Sequence, residues 1–117
     1  MRSQSNTIER YIAPEGHEPY TEWLNSIKDK MTKARIINGV TKMENGNFGV
    51  SESVGAGVLE LKLDYGPGYR VYYALEGEKI ILLLLGGSKK GQQADIKKAQ
   101  RYLNDYRSRE DGNEENQ

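Results

Sequence analysis

The strongest constraint on the fold is a pair of alternating runs, Val58 to Tyr73, that flank a Gly-Pro-Gly turn at residues 66–68. In the first run Leu59, Leu61 and Leu63 fall on one side, with mainly charged residues between them. Side chains alternate across a strand, so this pattern predicts a strand with one apolar face. The turn then folds the second run back as an antiparallel hairpin.

The other face of this hairpin is charged. Glu60, Lys62 and Asp64 share that face of the first run, and Arg70 enters the second run just after the turn. Because paired strands bring side chains of one face within about 5 Å of each other, an acid and two cations are expected to converge there. A solvated ladder of ion pairs is the ordinary explanation of such a pattern, and it stays open beside a functional one.

The N-terminal half predicts one strand and two helices. Thr7 to Ala13 alternates and stops at Pro14, which has no N–H to donate to a ladder. Pro19 suits the first turn of a helix, and a stripe of apolar residues follows it at helical spacing up to Ile27. A second helix is predicted to be capped by Thr32 and to end at residues 45–46, which are Asn-Gly.

The C-terminal half predicts a sheet and one helix. Val50 to Val54 and Lys79 to Gly86 are expected to be strands, and the second should lie centrally because it is apolar throughout. Gln92 to Arg107 has the spacing of an amphipathic helix. The predicted class is α+β in the order β-α-α-β-β-β-α, with a mainly antiparallel sheet of four to five strands. An N-terminal helical hairpin and a C-terminal helix should cover one face and leave the other free.

Composition excludes several kinds of site. The 117 residues include no cysteine and one histidine, so we expect no disulfide, no metal and no cofactor. The longest apolar run, Ile80 to Leu85, is far shorter than the roughly 20 residues that span a bilayer. No basic-then-apolar secretion signal opens the chain, so a cytoplasmic protein without membrane contact is expected.

Length predicts one domain over residues 1–109, followed by an acidic, disordered tail over residues 110–117. Four of the 17 acidic residues lie in that tail, which leaves residues 1–109 with 17 basic and 13 acidic side chains. A mildly basic body permits phosphate binding without requiring it.

The hairpin and its flanks resemble a known family. The likeness lies in YGPGYR-VYY at residues 65–73, with NFG at 47–49 ahead of it and GGSKK at 86–90 behind it. These motifs are similar to the RelE/ParE toxin superfamily, specifically the HigB-like group of phage-derived addiction module killer proteins, over about Tyr20 to Tyr106. The resemblance implies a RelE-like fold and the toxin of a type II toxin-antitoxin system. Its partner would be a cognate antitoxin, usually a helix-turn-helix protein, bound in a hetero-oligomer.

The resemblance also implies an activity. Many RelE-like and HigB-like toxins are ribosome-dependent endoribonucleases that cut mRNA without metal, use the substrate's 2'-hydroxyl as nucleophile and leave a 2',3'-cyclic phosphate. This reaction needs a base, cations for the pentavalent phosphate and an acid for the leaving oxygen. The residues that match the family's catalytic positions are Glu60 as base, Lys62 and Arg70 as phosphate-binding cations, and Lys89 as acid or added charge. Lys90 and Tyr72 would contact the RNA.

Three residues depart from the family's pattern. Lys62 stands where an arginine is common, which keeps the charge but loses the planar fork. Glu52 stands where relatives commonly have lysine, and Ala56 stands where an acidic residue is common, so the site is expected to be less basic than usual. A ParE-like toxin that binds DNA gyrase without RNA chemistry is one alternative function. A decayed toxin that only binds its antitoxin is another.

Overall fold

The structure, a computed structural model, describes residues 5–115. Within that range the chain forms five strands: β1 (Thr7–Arg10), β2 (Val50–Gly55), β3 (Val58–Leu63), β4 (Tyr69–Glu76) and β5 (Ile80–Ser88). The same range contains three α-helices: α1 (Pro19–Ser26), α2 (Lys30–Glu44) and α3 (Gln92–Glu115). A short 3-10 turn, Lys89–Gly91, joins β5 to α3. These elements confirm the predicted α+β class.

The described strands form a single sheet in the order β1-β5-β4-β3-β2. Strands β2 to β5 pair antiparallel with their neighbours, and β1 pairs parallel to β5. The predicted hairpin is confirmed, since β3 and β4 pair with Glu60 opposite Tyr72 and Lys62 opposite Arg70. Strand β5 lies between β1 and β4 and is buried along most of its length, as its apolar run indicated.

Helices cover both faces of the sheet, so the prediction of one free face is wrong. Helices α1 and α2 pack on the face that carries Val71 and Leu83. Helix α3 packs through Ala99 and Leu103 on the face that carries Tyr72. A period of two separates the faces of a strand but does not reveal which one a distant helix will cover. The charged face of the hairpin is therefore the face that carries α3.

The double glycine at the end of β5 lets both helical layers approach the sheet. A Cβ on Gly86 would overlap the Trp23 ring of α1, and a Cβ on Gly87 would overlap the Asp95 carboxylate of α3. Neither glycine has a positive φ, so close approach, and not backbone freedom, requires them.

Helix α2 begins about one turn earlier than predicted. Asp29, not Thr32, is its N-cap: the Asp29 carboxylate accepts the Thr32 hydroxyl proton at 2.7 Å and the Thr32 backbone N–H at 2.9 Å. These two hydrogen bonds hold the pKa of Asp29 below its ordinary value. The other end is as predicted, since Gly46 follows the helix with a φ of 95°.

Helix α3 continues past the predicted domain end at residue 109 and reaches Glu115. Residues 116–117 lie outside the described residues, and the disorder assigned to residues 110–117 stays a prediction. None of the described helices is both long enough and apolar enough to cross a membrane.

Candidate functional site

The structure places three of the four predicted catalytic residues on one face of the β3–β4 hairpin and the fourth, Lys89, beside its turn. The strand register places Glu60, Lys62 and Arg70 on the face that carries α3. Lys89 reaches the same region from the end of β5, because its backbone N–H donates to the carbonyl oxygen of Gly68 at 2.7 Å. The four side chains differ greatly in exposure, and exposure decides what each can do.

Glu60 is buried under the first turn of α3. Its side chain is 1 % exposed, Arg70 Nε lies 3.8 Å from Oε1, and Gln92 Nε2 donates to Oε2 at 2.6 Å. A substrate hydroxyl cannot reach this carboxylate while α3 is in place. The burial argues against the predicted role of Glu60 as general base and favours a role in orienting Arg70.

Arg70 connects this buried acid to the surface. Its side chain is 7 % exposed, and Nη1 lies 3.7 Å from Oδ1 of Asp64, whose side chain is 80 % exposed. Nη1 also donates to the Tyr69 carbonyl oxygen at 3.2 Å. One guanidinium therefore lies between a buried carboxylate and an exposed one, although both contacts are longer than a hydrogen bond and Arg70 Nε has no hydrogen-bond partner among the described residues.

A depression of about 280 Å³ opens at the hairpin turn. This turn depression is lined by Asp64, Tyr65, Gly66, Pro67, Gly68 and Lys89. At Gly68 an added Cβ would lie 3.4 Å from Lys89 Cβ and 3.7 Å from Arg70 Nη1, so both cationic side chains pass this glycine. Lys89 is exposed, and no carboxylate of the described residues lies within ion-pair distance of it. An exposed acid and an exposed cation thus line this depression, and the buried Arg70 guanidinium lies next to Gly68.

Lys62 is less available than Lys89. Its Nζ lies 3.0 Å from Oε1 and 3.2 Å from Oε2 of Glu52 on the neighbouring strand. The departure from the family's pattern at Glu52 therefore places a carboxylate directly on a predicted phosphate-binding cation. Both side chains remain partly exposed, so the pair contributes little to stability.

The two predicted RNA contacts differ in accessibility. Tyr72 is fully buried beneath α3, so its ring cannot stack on a base, and this burial argues against the predicted contact. Burial, together with the nearby carboxylates of Glu60 and Asp95, raises the pKa of Tyr72. The Tyr72 hydroxyl nevertheless has no partner in hydrogen-bond geometry among the described residues. Lys90 is exposed next to Lys89, as an RNA contact requires.

Three residues of the site were not among the predicted functional residues: Asp64, Gln92 and Asp95. Burial raises the pKa of the Asp95 carboxyl, an effect partly opposed by Lys98. The sequence contained a signal for Asp64, because alternation places it on the same face as Glu60 and Lys62. A weaker signal for Gln92 and Asp95 was their closeness to Lys89 along the chain, since α3 follows the Lys89–Gly91 turn directly. No group of His, Cys, Asp and Glu suited to a metal ion occurs among the described residues.

Comparison with known proteins identifies the family. Residues 22–106 match the family model described as phage derived protein Gp49-like (DUF891). The chain belongs to the Gp49-like family. This family of phage-derived proteins is related to toxin-antitoxin systems and comprises addiction module toxins, which also implies an antitoxin partner. The predicted membership of a phage-derived addiction module family is therefore confirmed at that level.

One relative extends the comparison. A protein of Haemophilus influenzae, described as an uncharacterized protein, is 40 % identical over 80 residues, which are 68 % of this chain and 81 % of the relative. The Gp49-like match begins in α1 and ends in α3, so it includes the whole hairpin, the turn depression and Lys89. Every predicted site residue of this Gp49-like protein lies inside the matched segment.

Proposed function

We propose that this Gp49-like protein is the toxin of a type II toxin-antitoxin system and that it cuts mRNA, bound on the ribosome, by a RelE- or HigB-like reaction. The observation that supports this most is the turn depression, which is lined by an exposed acid, Asp64, and an exposed cation, Lys89, with the buried Arg70 guanidinium next to it. Cleavage through the 2'-hydroxyl needs these groups: an acceptor for a proton and positive charge for the phosphate.

In the proposed reaction the ribose 2'-oxygen attacks the adjacent phosphorus, and its proton passes to the base. The bond from phosphorus to the 5'-oxygen of the next nucleotide breaks, and that oxygen takes up a proton. The products are a 2',3'-cyclic phosphate and a 5'-hydroxyl, so the step consumes no water. Stabilisation of the charge on the pentavalent phosphorus lowers the barrier.

The geometry favours catalytic roles for these residues that differ from those predicted from the sequence. Asp64 is the better base because it is 80 % exposed, whereas Glu60 is 1 % exposed. Arg70 adds positive charge toward the phosphate from beside Gly68, and Glu60, 3.8 Å from Arg70 Nε, is a positioning residue that places a negative charge on the buried side of the guanidinium. Lys89, which is exposed at the rim of the depression, adds charge or gives a proton to the leaving oxygen.

The antitoxin and the ribosome are the partners in this proposal. We expect the antitoxin to neutralise the toxin by covering the turn depression, since the depression is open to solvent and holds the charged groups. A cytoplasmic location follows from a substrate on the ribosome.

Mapping of transcript 5' ends after induced expression in a bacterial host tests the proposal. The wild-type chain should produce new 5'-hydroxyl ends inside coding sequences. Asp64→Asn and Lys89→Ala should each lower cleavage about 100-fold, the size of effect expected from losing a base or a charge-stabilising donor. Circular dichroism of the purified variants checks that both remain folded.

Matched controls come from the opposite end of β4 and β5. Lys79 and Glu78 are exposed in the turn between these strands, so Lys79→Ala and Glu78→Gln make the same changes of charge far along the sheet. Both controls should cleave normally. Undiminished cleavage by Asp64→Asn and Lys89→Ala, or growth arrest without any new transcript ends, would refute the assignment.

One observation favours a second candidate, a noncatalytic toxin of the ParE-like kind. The 3.0 Å pair between Lys62 and Glu52 neutralises a cation that a nuclease site would use. Expression would then cause a DNA-damage response with intact transcripts. A chain that only binds its antitoxin would cause neither effect.

A further inference from the structure

We propose that a groove along α2 binds the phosphate backbone of the RNA next to the cut; this rests on the proposed function and adds a surface that holds the substrate. Arg35, Asn38 and Lys42 lie on one face of α2, because they are three and seven residues apart. All three are exposed. With Asn47 and Gly49 from the loop after the helix they line a space of about 150 Å³, the α2 groove.

Three cations line the α2 groove; Lys62 pairs with Glu52, and Arg35 and Lys42 are not neutralised by an acid. Among the described residues no carboxylate lies within ion-pair distance of Arg35 or Lys42, and no acidic residue lines the groove. The Asp29 carboxylate already accepts both hydrogen bonds from Thr32, which lower the pKa of Asp29, and the charge of Arg35 helps to lower that pKa. Unpaired lysine and arginine in a concave surface are the usual footprint of a phosphate backbone.

The base of the groove is apolar because a glycine brings α2 close to the sheet. A Cβ on Gly39 would lie 3.2 Å from Leu63 Cδ2 and 3.6 Å from Leu61 Cδ2. Both leucines, from β3, line the groove beneath the polar helix face. Such a surface suits part of a nucleotide, since its phosphate can meet the cations while its ribose or base lies over the partly exposed Leu63.

The groove is connected to the turn depression through one tyrosine. Arg35 Cζ lies 4.8 Å from the centre of the Tyr65 ring, and the Tyr65 hydroxyl donates to the Thr32 carbonyl oxygen at 3.2 Å. Tyr65 also lines the turn depression. An RNA strand that leaves the depression past Tyr65 would meet Arg35 first and then Lys42, about 10 Å further along α2.

An acidic segment of the antitoxin would also be attracted by these cations, but two features favour RNA. The groove leads to the place where the reaction is proposed. Its lining also contains two amides, Asn38 and Asn47, which can donate to phosphate and ribose oxygens. The Asn47 side-chain oxygen accepts from Gly49 N at 3.0 Å, which leaves its NH2 group for a ligand.

RNA binding by Arg35→Ala/Lys42→Ala tests the inference. The probe is a short, fluorescently labelled single-stranded RNA, followed by anisotropy between about 50 and 200 mM salt. Each phosphate contact on a single strand contributes about 0.7 to the slope of log affinity against log salt, so loss of two contacts should reduce the slope by about 1.4. Lys79→Ala/Lys97→Ala removes two other exposed cations and should retain the wild-type slope.

An unchanged slope in Arg35→Ala/Lys42→Ala, or an equal fall in the control, overturns the inference. So does a variant that keeps its RNA slope but no longer binds the antitoxin, because the groove would then hold a protein. Transcript cleavage is read separately. If the wild-type chain cleaves transcripts but the salt slope of Arg35→Ala/Lys42→Ala is unchanged, only the groove proposal fails. If the slope of that variant is reduced but the wild-type chain cleaves no transcript, only the endoribonuclease proposal fails.

Discussion

Two adjacent tyrosines of β4 differ in whether the hydroxyl has a partner. Both rings are buried, but Tyr73 donates to Ser51 Oγ at 2.8 Å, whereas no described residue meets hydrogen-bond geometry with the Tyr72 hydroxyl, which lies near the Glu60 carboxylate. A buried hydrogen bond contributes about 1 kcal/mol, and an unpaired buried hydroxyl costs free energy. We expect Tyr73→Phe to lower the free energy of unfolding by about 1 kcal/mol. Tyr72→Phe should leave it unchanged or raise it in the same urea titration.

The same pair of variants has a pH dependence of definite sign. Burial raises the pKa of both tyrosines above the ordinary value of 10, and the Glu60 and Asp95 carboxylates raise that of Tyr72 further. A phenol with a raised folded-state pKa stabilises the fold fully below its unfolded pKa, and this stability is lost as the pH rises above about 10. Tyr72→Phe should therefore reduce the loss of stability between about pH 9 and 11. A loss as steep as in the wild type would contradict the position of Tyr72 beside these carboxylates.

For single residues, the sequence predicts the face of the sheet on which a side chain lies better than it predicts whether solvent reaches that side chain. Alternation put Glu60, Lys62 and Arg70 on one face, and the register agrees. The burial of Glu60 depends on Gln92, which lies 32 residues further along the chain and is brought over β3 by the packing of α3. A period of two in a strand contains no information about such a distant contact, so Glu60 could not be distinguished from an exposed acid such as Asp64.

At the scale of elements, α1 can pack closely on β5 because Gly86 has no side chain. A Cβ there would overlap the Trp23 ring. Because Gly86 does not have a positive φ, alanine introduces a steric conflict without backbone strain. We expect Gly86→Ala to lower the free energy of unfolding by about 1–3 kcal/mol, the usual cost of overpacking, in urea titrations followed by circular dichroism.

A double-mutant cycle separates the ring from other causes of that loss. In a Trp23→Ala background the ring is gone, so Gly86→Ala should cost at least about 1 kcal/mol less than in the wild type. An identical cost in both backgrounds would show that the backbone of β5, and not contact with α1, requires the glycine.

The elements themselves were largely predictable, because hairpin alternation, helical spacing and Gly-Pro turns are local signals. Their exact ends were less so. Asp29 and Thr32 are both common cap residues within one turn of each other, and only the hydrogen bonds from Thr32 to Asp29 show which one caps α2. Strand β1 ends at Arg10, although the alternation continues to Ala13.

At the scale of the whole molecule, the sheet separates two apolar cores that share their central strands. Leu103 lies in the core under α3, and Ile36 lies in the core under α1 and α2. Strands β4 and β5 contribute buried side chains to both, for example Leu82 to the first and Leu83 to the second. Loss of either helical layer would expose the same strands, so we expect the two cores to unfold together.

Leu103→Ala and Ile36→Ala test this coupling, because both side chains are almost completely buried, one in each core. Each change removes buried apolar volume and should cost about 2–5 kcal/mol. Trp23, the single tryptophan, packs with the core under α1 and α2, so its fluorescence reports on the face opposite Leu103, while circular dichroism at helical wavelengths includes α3. If the cores unfold as one unit, both probes should give coincident urea transitions, and Leu103→Ala should shift the Trp23 transition as much as the helical one. A helical signal lost before the Trp23 signal in Leu103→Ala would show instead that α3 can leave the sheet alone, which would also open Glu60 and Arg70 to solvent.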